Sequence, residues 1–310
     1  MNNYKRLEKS RYVKVATSSL KPEVSAVIRY RGHNPFRIFL RKAVKAVLQG
    51  RMMLDHKLYI SNIAVVTSFA CNLNCYGCGQ HTPQIKQLAA DKRKIDFDQI
   101  CKDLDKILLV VDGIGGIALA NGEGFLNPNL NRMMDYFAKT PKIHSMNVPT
   151  NGTIIPNEET LTNMSNHGVT ATITRYDCVD EAKRTAVQQA FEQHHVYYSV
   201  FEDRKWYLHE YVEDEICDDK EAAEKYCECE RFFMLMQGRL WKCETNATGI
   251  KAGVRPERMD DSICVETATL QELRQFIIEK NNLSYLESCK HCRGSVGSHV
   301  KEIVAGEQLK

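Results

Sequence analysis

Residues 61–78 read SNIAVVTSFACNLNCYGC, an apolar run followed directly by three closely spaced cysteines. The β-branched run predicts a buried strand that ends just before Cys71. Cys71, Cys75 and Cys78 would then share one loop at the carboxyl edge of a sheet, where parallel α/β folds build their active sites. Three thiolates are soft metal ligands that leave a four-coordinate site one ligand short. We therefore expect a metal site that either recruits His81 as its fourth ligand or keeps one position open.

Strand-like and helix-like segments alternate on the carboxyl side of this loop. The predicted strands are 61–69, 115–120, 144–150, 169–174 and 196–201, and the predicted helices between them are 97–111, 129–139, 156–168 and 180–195. Alternation at this spacing predicts an α/β fold with a parallel sheet and right-handed crossovers. The sheet could be open and doubly wound, or it could form part of a (β/α) barrel.

The pattern of the sequence changes after about residue 205, where acidic residues become frequent and the regular alternation of strands and helices is lost. A hairpin is predicted around Gly238, and a further helix is predicted over 269–280. We therefore divide the chain into three parts. They are a basic N-terminal extension (1–57), a core (58–205) and a smaller C-terminal α+β domain (206–310).

The bulk composition is that of a globular protein, because 43% of the 310 residues are hydrophobic and 26% are charged. The sequence has no run of about 18 apolar residues, the length that a membrane-spanning helix needs. The N-terminus lacks an apolar signal core, so we expect a cytoplasmic protein. The chain has twelve cysteines, and in a reducing compartment clustered cysteines are more typical of metal ligands or catalytic groups than of disulfides.

Positive charge is concentrated at the N-terminus. Residues 1–57 carry 14 Lys and Arg against 3 Asp and Glu, whereas the rest of the chain carries 28 against 36. Within this part, residues 35–50 show apolar positions at helical spacing with basic residues between them. Such a helix could simply pack on its own domain. Alternatively, it could contact an acidic partner such as a phosphorylated substrate, a lipid surface or a nucleic acid.

The loop CNLNCYGC resembles the CxxxCxxC signature of the radical S-adenosylmethionine (SAM) enzymes. The resemblance implies that Cys71, Cys75 and Cys78 hold a [4Fe–4S] cluster whose fourth iron binds SAM. It further implies that SAM is cleaved reductively and that the 5′-deoxyadenosyl radical abstracts hydrogen from a substrate. A partial (β/α)6 TIM-like barrel is the fold that the resemblance implies, with flavodoxin or ferredoxin as a typical electron donor.

Further landmarks of the family follow in its usual order. NGEGFLNPNL (121–130) resembles the GGEPLLNP segment, and PTNGT (149–153) resembles the TNG at the end of the next strand. Where the family usually has an aromatic residue before the third cysteine, this chain has Gly77. The resemblance implies a set of SAM-binding positions: Tyr76, Asn121, Gly122, Glu123, Asn151 and Thr174. Taken singly, Glu123 could be an ordinary helix-start carboxylate, and the Asn-Gly pair could be only a turn.

The C-terminal cysteines form a second group. The segment 227–243 and the CKHC of 289–292 resemble the Gly-x4-Cys hairpin and the CxxC of the SPASM and twitch extensions of radical SAM enzymes. The resemblance implies an auxiliary [4Fe–4S] cluster for electron transfer. Its ligands would be Cys243, Cys289, Cys292 and one of Cys227 and Cys229. The twitch form is favoured because no cysteine follows Cys292, whereas a zinc ribbon is the alternative because four thiolates suit zinc equally well.

Three functions follow from these patterns. The first is a radical SAM enzyme, an oxidoreductase or another radical enzyme, acting on a small polar or sugar-like molecule. The second is a radical SAM peptide maturase of the RiPP type. The third, of another class, is a non-catalytic zinc or iron–sulfur module that binds nucleic acid or a membrane through its basic N-terminus.

Overall fold

The protein's computed structural model describes residues 39, 43, 58–202, 205–229, 232–257, 261–294 and 297–309, with only the backbone at 120, 227 and 228. The predicted basic extension therefore lies outside the described residues, apart from Phe39 and Ala43.

The strands are β1 Tyr59–Ile60, β2 Ile63–Val66, β3 Gly113–Ile114, β4 Ile117–Ala120, β5 Met146–Thr150, β6 Thr170–Arg175, β7 Tyr198–Glu202, β8 Lys205–Tyr207, β9 Phe233–Met236, β10 Arg239–Trp241, β11 Ser262–Cys264 and β12 Glu302–Val304. The α-helices are α1 Thr82–Ile85, α2 Phe97–Val110, α3 Leu130–Ala138, α4 Glu158–His167, α5 Glu181–Gln193, α6 Asp219–Glu228, α7 Glu244–Lys251 and α8 Leu270–Asn282. Short 3-10 helices cover Asp91–Arg93, Gly124–Leu126 and Glu287–Cys289.

One eight-stranded mixed sheet organises the described part of the molecule, in the order β11-β10-β9-β2-β4-β5-β6-β7. The six strands from β9 to β7 are parallel, whereas β10 runs antiparallel to both of its neighbours, β9 and β11. The α/β class predicted from the sequence is confirmed. The sheet is open rather than closed into a barrel, because β9 joins the free side of β2 and leaves β7 at the other edge.

The alternation of side chains along β2 sets the two faces of the sheet. Ile63 and Val65 face the helices and pack in the main core. Along α2 the buried positions recur every three or four residues, at Ile100, Leu104 and Ile107. This spacing places an apolar stripe of the helix on the sheet. Full burial of each such side chain contributes about 1.5–3 kcal/mol.

The other face of β2 carries Ala64 and Val66, which belong to a second buried cluster with Met234 of β9 and Trp241 of β10. Ile85 of α1, the short helix that follows the cysteine loop, packs into the same cluster. The hairpin predicted at Gly238 therefore lies on the core sheet rather than apart from it. The division of the chain near residue 205 and the twitch-like description of its C-terminal part stay predictions.

None of the helices in the described ranges combines the length and apolar character that crossing a bilayer requires.

Candidate active site at the carboxyl edge of the parallel strands

The cysteine loop begins at Cys71, five residues after the last residue of β2, at the carboxyl edge of the parallel strands. Cys75 is buried, whereas Cys71 and Cys78 are half-buried. Lys86, directly after α1, fixes the start of the loop, because its Nζ donates hydrogen bonds to the carbonyl oxygens of Cys71 at 3.2 Å and Leu73 at 2.8 Å. The three thiols predicted as ligands are thus held on one side of the sheet by a short helix anchored in the core.

The thiols of this loop interact with one another. Burial raises the pKa of Cys71 and raises the pKa of Cys75 to about 11, and the neighbouring thiols of the loop add to both shifts. Without a bound cation these two thiols therefore stay protonated at neutral pH. A metal ion or cluster that binds here would have to displace the protons of both thiols. Its binding would therefore release protons and would weaken as the pH falls.

The loop after β4 supplies a buried carboxylate. Glu123 is fully buried, and its Oε1 accepts a hydrogen bond from Phe125 N–H at 3.1 Å. Its Oε2 accepts from Asn151 N–H at 2.8 Å. Burial raises the pKa of Glu123, whereas these hydrogen bonds oppose the shift. The carboxylate is therefore held in a fixed orientation by the backbone of two loops.

Side-chain amides tie the cysteine loop to the loop after β5. Asn151 Nδ2 donates to Asn72 Oδ1 at 2.9 Å, and Asn72 Nδ2 donates to Thr153 Oγ1 at 2.7 Å. Since Asn151 also donates its backbone N–H to Glu123, the loops after β2, β4 and β5 form one hydrogen-bonded unit. The family resemblance implied a shared site for Asn151 and Glu123, but it did not identify Asn72 or Thr153.

Gln80 also belongs to this unit and was missed by the sequence analysis. Its Oε1 accepts from Gly122 N–H at 3.1 Å, and its Nε2 donates to Glu244 Oε1 at 2.7 Å. Gln80 thereby connects the loop after β4 to α7. The sequence signal that could have identified Gln80 is its position two residues after Cys78.

Asn121 has the features of a ligand-binding side chain. It is 2% exposed and adopts a left-handed φ of 81°. Its Oδ1 and Nδ2 have no hydrogen-bond partner among the described residues. Because an unsatisfied buried amide costs about 1–3 kcal/mol, such a group is expected to meet a polar ligand. Asn121 and the thiols of the cysteine loop follow the adjacent parallel strands β4 and β2, and together they fit a site that takes a metal cluster and a polar cofactor.

Tyr76 and Thr174 are the two remaining predicted positions. Tyr76 lies in the cysteine loop, where its backbone N–H donates to Glu307 O at 2.6 Å. Thr174 lies one residue before the end of β6, in register with Phe201 of β7. Both stand at the same edge of the sheet as the cysteine loop, and their contacts with a cofactor stay predictions.

Within the described ranges, no group of three or more His, Cys, Asp and Glu side chains is arranged to hold a single metal ion. An iron–sulfur cluster contains several metal ions, so its cysteine ligands need not converge on one point. His81, the alternative fourth ligand for zinc, has its Nδ1 3.1 Å from Thr248 Oγ1.

His81 makes the stability of this region sensitive to acid. Burial, with Arg255 and His209 nearby, lowers the pKa of His81 from its ordinary 6.5 to about 3. Between these values the unfolded chain binds a proton that the folded chain excludes. The free energy of unfolding should therefore fall as the pH drops below 6.5, by up to about 1.4 kcal/mol per pH unit.

Urea unfolding of His81→Asn across this pH range should show a shallower dependence on pH than the wild-type protein. Asn suits the left-handed φ of 51° at this position. The matched control is His195→Asn, since His195 is exposed and also left-handed, with a φ of 56°. The control should keep the wild-type slope, and an unchanged slope in His81→Asn would contradict the prediction.

The C-terminal cysteines meet in a separate buried cluster. Cys243 caps α7, where its Sγ accepts from Asn246 N–H at 3.4 Å. Cys243 and Cys289 pack in one small core with Ala222 of α6. Cys292, three residues after Cys289, is also buried. The structure therefore brings the predicted ligands of the CKHC segment and the hairpin to one region.

The fourth ligand of the C-terminal cysteine group would be either Cys227 or Cys229. Cys229 follows the end of α6 and is half-buried, whereas only the backbone of Cys227 is described. The choice between the two stays a prediction.

Cys217 was not predicted as a member of this region, yet it packs beside the C-terminal cysteines. Its Sγ lies 3.2 Å from Nζ of Lys225, a side chain that is only 2% exposed. The same ammonium donates to Cys292 O at 2.8 Å and pairs with Glu221 at 3.1 Å. Burial raises the pKa of Cys217, and the hydrogen bond from Lys225 opposes that shift. Lys225 therefore links α6 to the CKHC segment, through the Cys217 thiol and the Cys292 carbonyl oxygen.

Comparison with known proteins gives partial matches. A segment of 107 residues, 34% of this chain, is 29% identical to GTP 3′,8-cyclase of Clostridium acetobutylicum, and it spans only 31% of that protein. No family model matches the chain. The match to the cyclase supports the radical SAM resemblance of the sequence.

Solved structures that resemble the protein include anSMEcpe with bound AdoMet and BtrN in complex with AdoMet and 2-DOIA. Both have a TM-score of 0.47, with 14% and 15% identity respectively. The matches cover 74% of this chain and 86% of anSMEcpe, and 81% of this chain and 98% of BtrN. Streptococcus suis SuiB bound to S-adenosylmethionine has a TM-score of 0.34 and 13% identity, over 56% of this chain and 39% of SuiB. At these scores the likeness is partial.

Proposed function

We propose that the protein is a radical SAM enzyme whose catalytic cluster is bound by Cys71, Cys75 and Cys78. The observation that carries this proposal is the hydrogen-bonded unit formed by the loops after β2, β4 and β5. In the radical SAM family, a [4Fe–4S] cluster supplies the electron that cleaves SAM reductively, and the 5′-deoxyadenosyl radical produced abstracts hydrogen from the substrate.

The chain's own residues would bind and orient the cofactor at this edge. The fixed carboxylate of Glu123 suits the ammonium group of an amino acid, because it is buried and its orientation is set by backbone donors. Asn121 offers a buried amide with both polar atoms available among the described residues. Thr174, near the end of β6, is the candidate contact to a ribose hydroxyl.

The substrate that we propose is a small, uncharged polar molecule, such as a sugar-like compound. Ala171 and Ile173 of β6 pack in the main core, so the alternating Thr170 and Thr172 lie on the opposite face. On that face Asn147 Nδ2 donates to Thr170 Oγ1 at 2.9 Å and to Thr172 Oγ1 at 3.1 Å. Neutral hydroxyl and amide groups of this kind would suit the hydroxyl groups of a sugar-like substrate.

For the C-terminal cysteines we propose an auxiliary [4Fe–4S] cluster held by Cys243, Cys289, Cys292 and one of Cys227 and Cys229. With four protein ligands it would transfer electrons rather than bind substrate. The burial of Cys243, Cys289 and Cys292 in one region supports this proposal, and Lys225 helps to hold the CKHC segment there through its hydrogen bond to the Cys292 carbonyl oxygen.

Anaerobic reconstitution of the full-length chain with iron and sulfide tests this proposal. Two clusters should give brown protein with about eight irons per chain. With SAM and dithionite it should release 5′-deoxyadenosine, measured by chromatography and mass spectrometry. Colourless protein that holds stoichiometric zinc and leaves SAM intact would refute the proposal and favour a zinc-binding module.

A further inference from the structure

The C-terminal strap, defined here as residues 302–309, runs back to the cysteine loop and pairs with it. Leu309 N–H donates to Asn74 O at 2.7 Å, and Tyr76 N–H donates to Glu307 O at 2.6 Å. These two backbone hydrogen bonds run in opposite directions, as in an antiparallel ladder. The last described residues of the chain are therefore part of the candidate active site, although they lie more than 220 positions away in sequence.

The pairing places Gln308 directly opposite Cys75, in an antiparallel β-bridge. Gln308 Oε1 accepts from Asn74 N–H at 2.8 Å, and its Nε2 donates to Gly306 O at 2.7 Å. Because the oxygen must face an N–H and the nitrogen must face a carbonyl, these neighbours fix which way the carboxamide points. Its Nε2 then lies 3.2 Å from Cys75 Sγ and 3.7 Å from Cys178 Sγ.

Gly77 allows the strap to lie close to the loop. It has a left-handed φ of +64°, and a Cβ at this position would lie 2.1 Å from Ile303 Cδ1 and 3.0 Å from Leu208 Cδ1. The absence of an aromatic residue at Gly77 thus has a structural reason, because the strap occupies that space. This contact is independent of the Gln308 hydrogen bonds, and it holds the strap against the same loop.

We infer that Gln308 is a positioning residue for the Cys75 thiolate and that its N–H···S hydrogen bond raises the midpoint potential of the cluster on this loop. The inference rests on the proposed function, because it presupposes a cluster held by Cys71, Cys75 and Cys78. Hydrogen bonds to ligand sulfurs help to set the potentials of iron–sulfur clusters. One-electron reduction adds negative charge, so a donor at the sulfur stabilises the reduced form more than the oxidised form.

The test is a redox titration of the reconstituted full-length protein, followed by electron paramagnetic resonance. The loop cluster is identified as the signal that changes when SAM is added. Gln308→Glu keeps an oxygen for Asn74 N–H but replaces the N–H donor with a carboxylate. Its midpoint potential should shift to more negative values. Gln308→Leu should shift in the same direction by a smaller amount, because it removes the donor without adding a charge.

The matched control is Glu307→Gln, since the Glu307 side chain is exposed and only its backbone carbonyl bonds to Tyr76. This variant should keep the wild-type potential, and circular dichroism should show that all three variants are folded. Loss of the loop cluster alone from both Gln308 variants would also support the positioning role. Equal potentials in all variants would overturn the inference and leave the proposed function standing. A wild-type protein without a SAM-responsive cluster would overturn the proposed function itself.

Discussion

Simultaneous replacement of Cys71, Cys75 and Cys78 by Ala is expected to abolish cleavage of SAM and to leave about half of the iron, since two clusters of equal size are proposed. The physical reason is that these thiols share one loop, whereas Cys243 and Cys289 lie in a separate buried cluster on other elements. Iron analysis and 5′-deoxyadenosine release, both measured after anaerobic reconstitution, check the two parts of the prediction.

The matched control for this variant is Cys101→Ala, because Cys101 lies on α2 outside both groups of cysteines. It should keep the full iron content and the full cleavage activity. Loss of all iron from the triple variant would contradict two independent clusters. Cleavage of SAM that persists in the triple variant would contradict the role of the loop.

The local patterns of the sequence predicted the strands and helices that carry the site. Helical spacing and strand alternation act over a few residues, so they predicted β2, α2 and the other alternating elements near their observed bounds. Glu123 and Asn151 were predicted from the resemblance of 121–130 and 149–153 to family segments, and the structure places them after β4 and β5, at the edge of the sheet where the carboxyl ends of parallel strands meet. The α/β class follows from the same alternation.

Contacts between distant parts of the chain could not be predicted in this way. The period of a strand shows which face it buries but not which strand it pairs with, so the pairing of β9 with β2 gave no local signal. The same holds for Gln308 opposite Cys75 and for Lys225, which donates to the carbonyl oxygen of Cys292. In each case the informative observation is a long-range hydrogen bond, which no short motif encodes.

Gly77 shows how a departure from a motif can be explained by a distant segment. In the sequence, Gly77 stands where the family usually has an aromatic residue, and Tyr76 comes one position earlier. The structure adds that Ile303 of the C-terminal strap fills the space beside Gly77. The loop and the strap are therefore complementary to each other, and a substitution in one should be judged together with the other.

Gly122→Ala is expected to destabilise the protein by about 2–5 kcal/mol, through two effects that add. Gly122 has a φ of +66°, and a side chain in this left-handed region costs about 1–2 kcal/mol. A Cβ would also lie 2.1 Å from the backbone oxygen of Ala70, and relieving such an overpacked contact costs about 1–3 kcal/mol more. That oxygen accepts Glu123 N–H at 2.7 Å, and Ala70 directly precedes Cys71. Displacement of the Ala70 carbonyl oxygen by the new Cβ should therefore also weaken binding of SAM.

The matched control is Gly168→Ala at the end of α4. Gly168 has nearly the same φ, +62°, but a Cβ there would meet no atom within 4 Å. The Gly168→Ala variant should therefore lose only the free energy of unfolding that the left-handed φ costs, about 1–2 kcal/mol. It should keep wild-type affinity for SAM. Urea unfolding measures the first difference, and calorimetric titration of the reconstituted proteins with SAM measures the second. Equal destabilisation of the two variants would show that the close approach of Gly122 to Ala70 does not constrain the site.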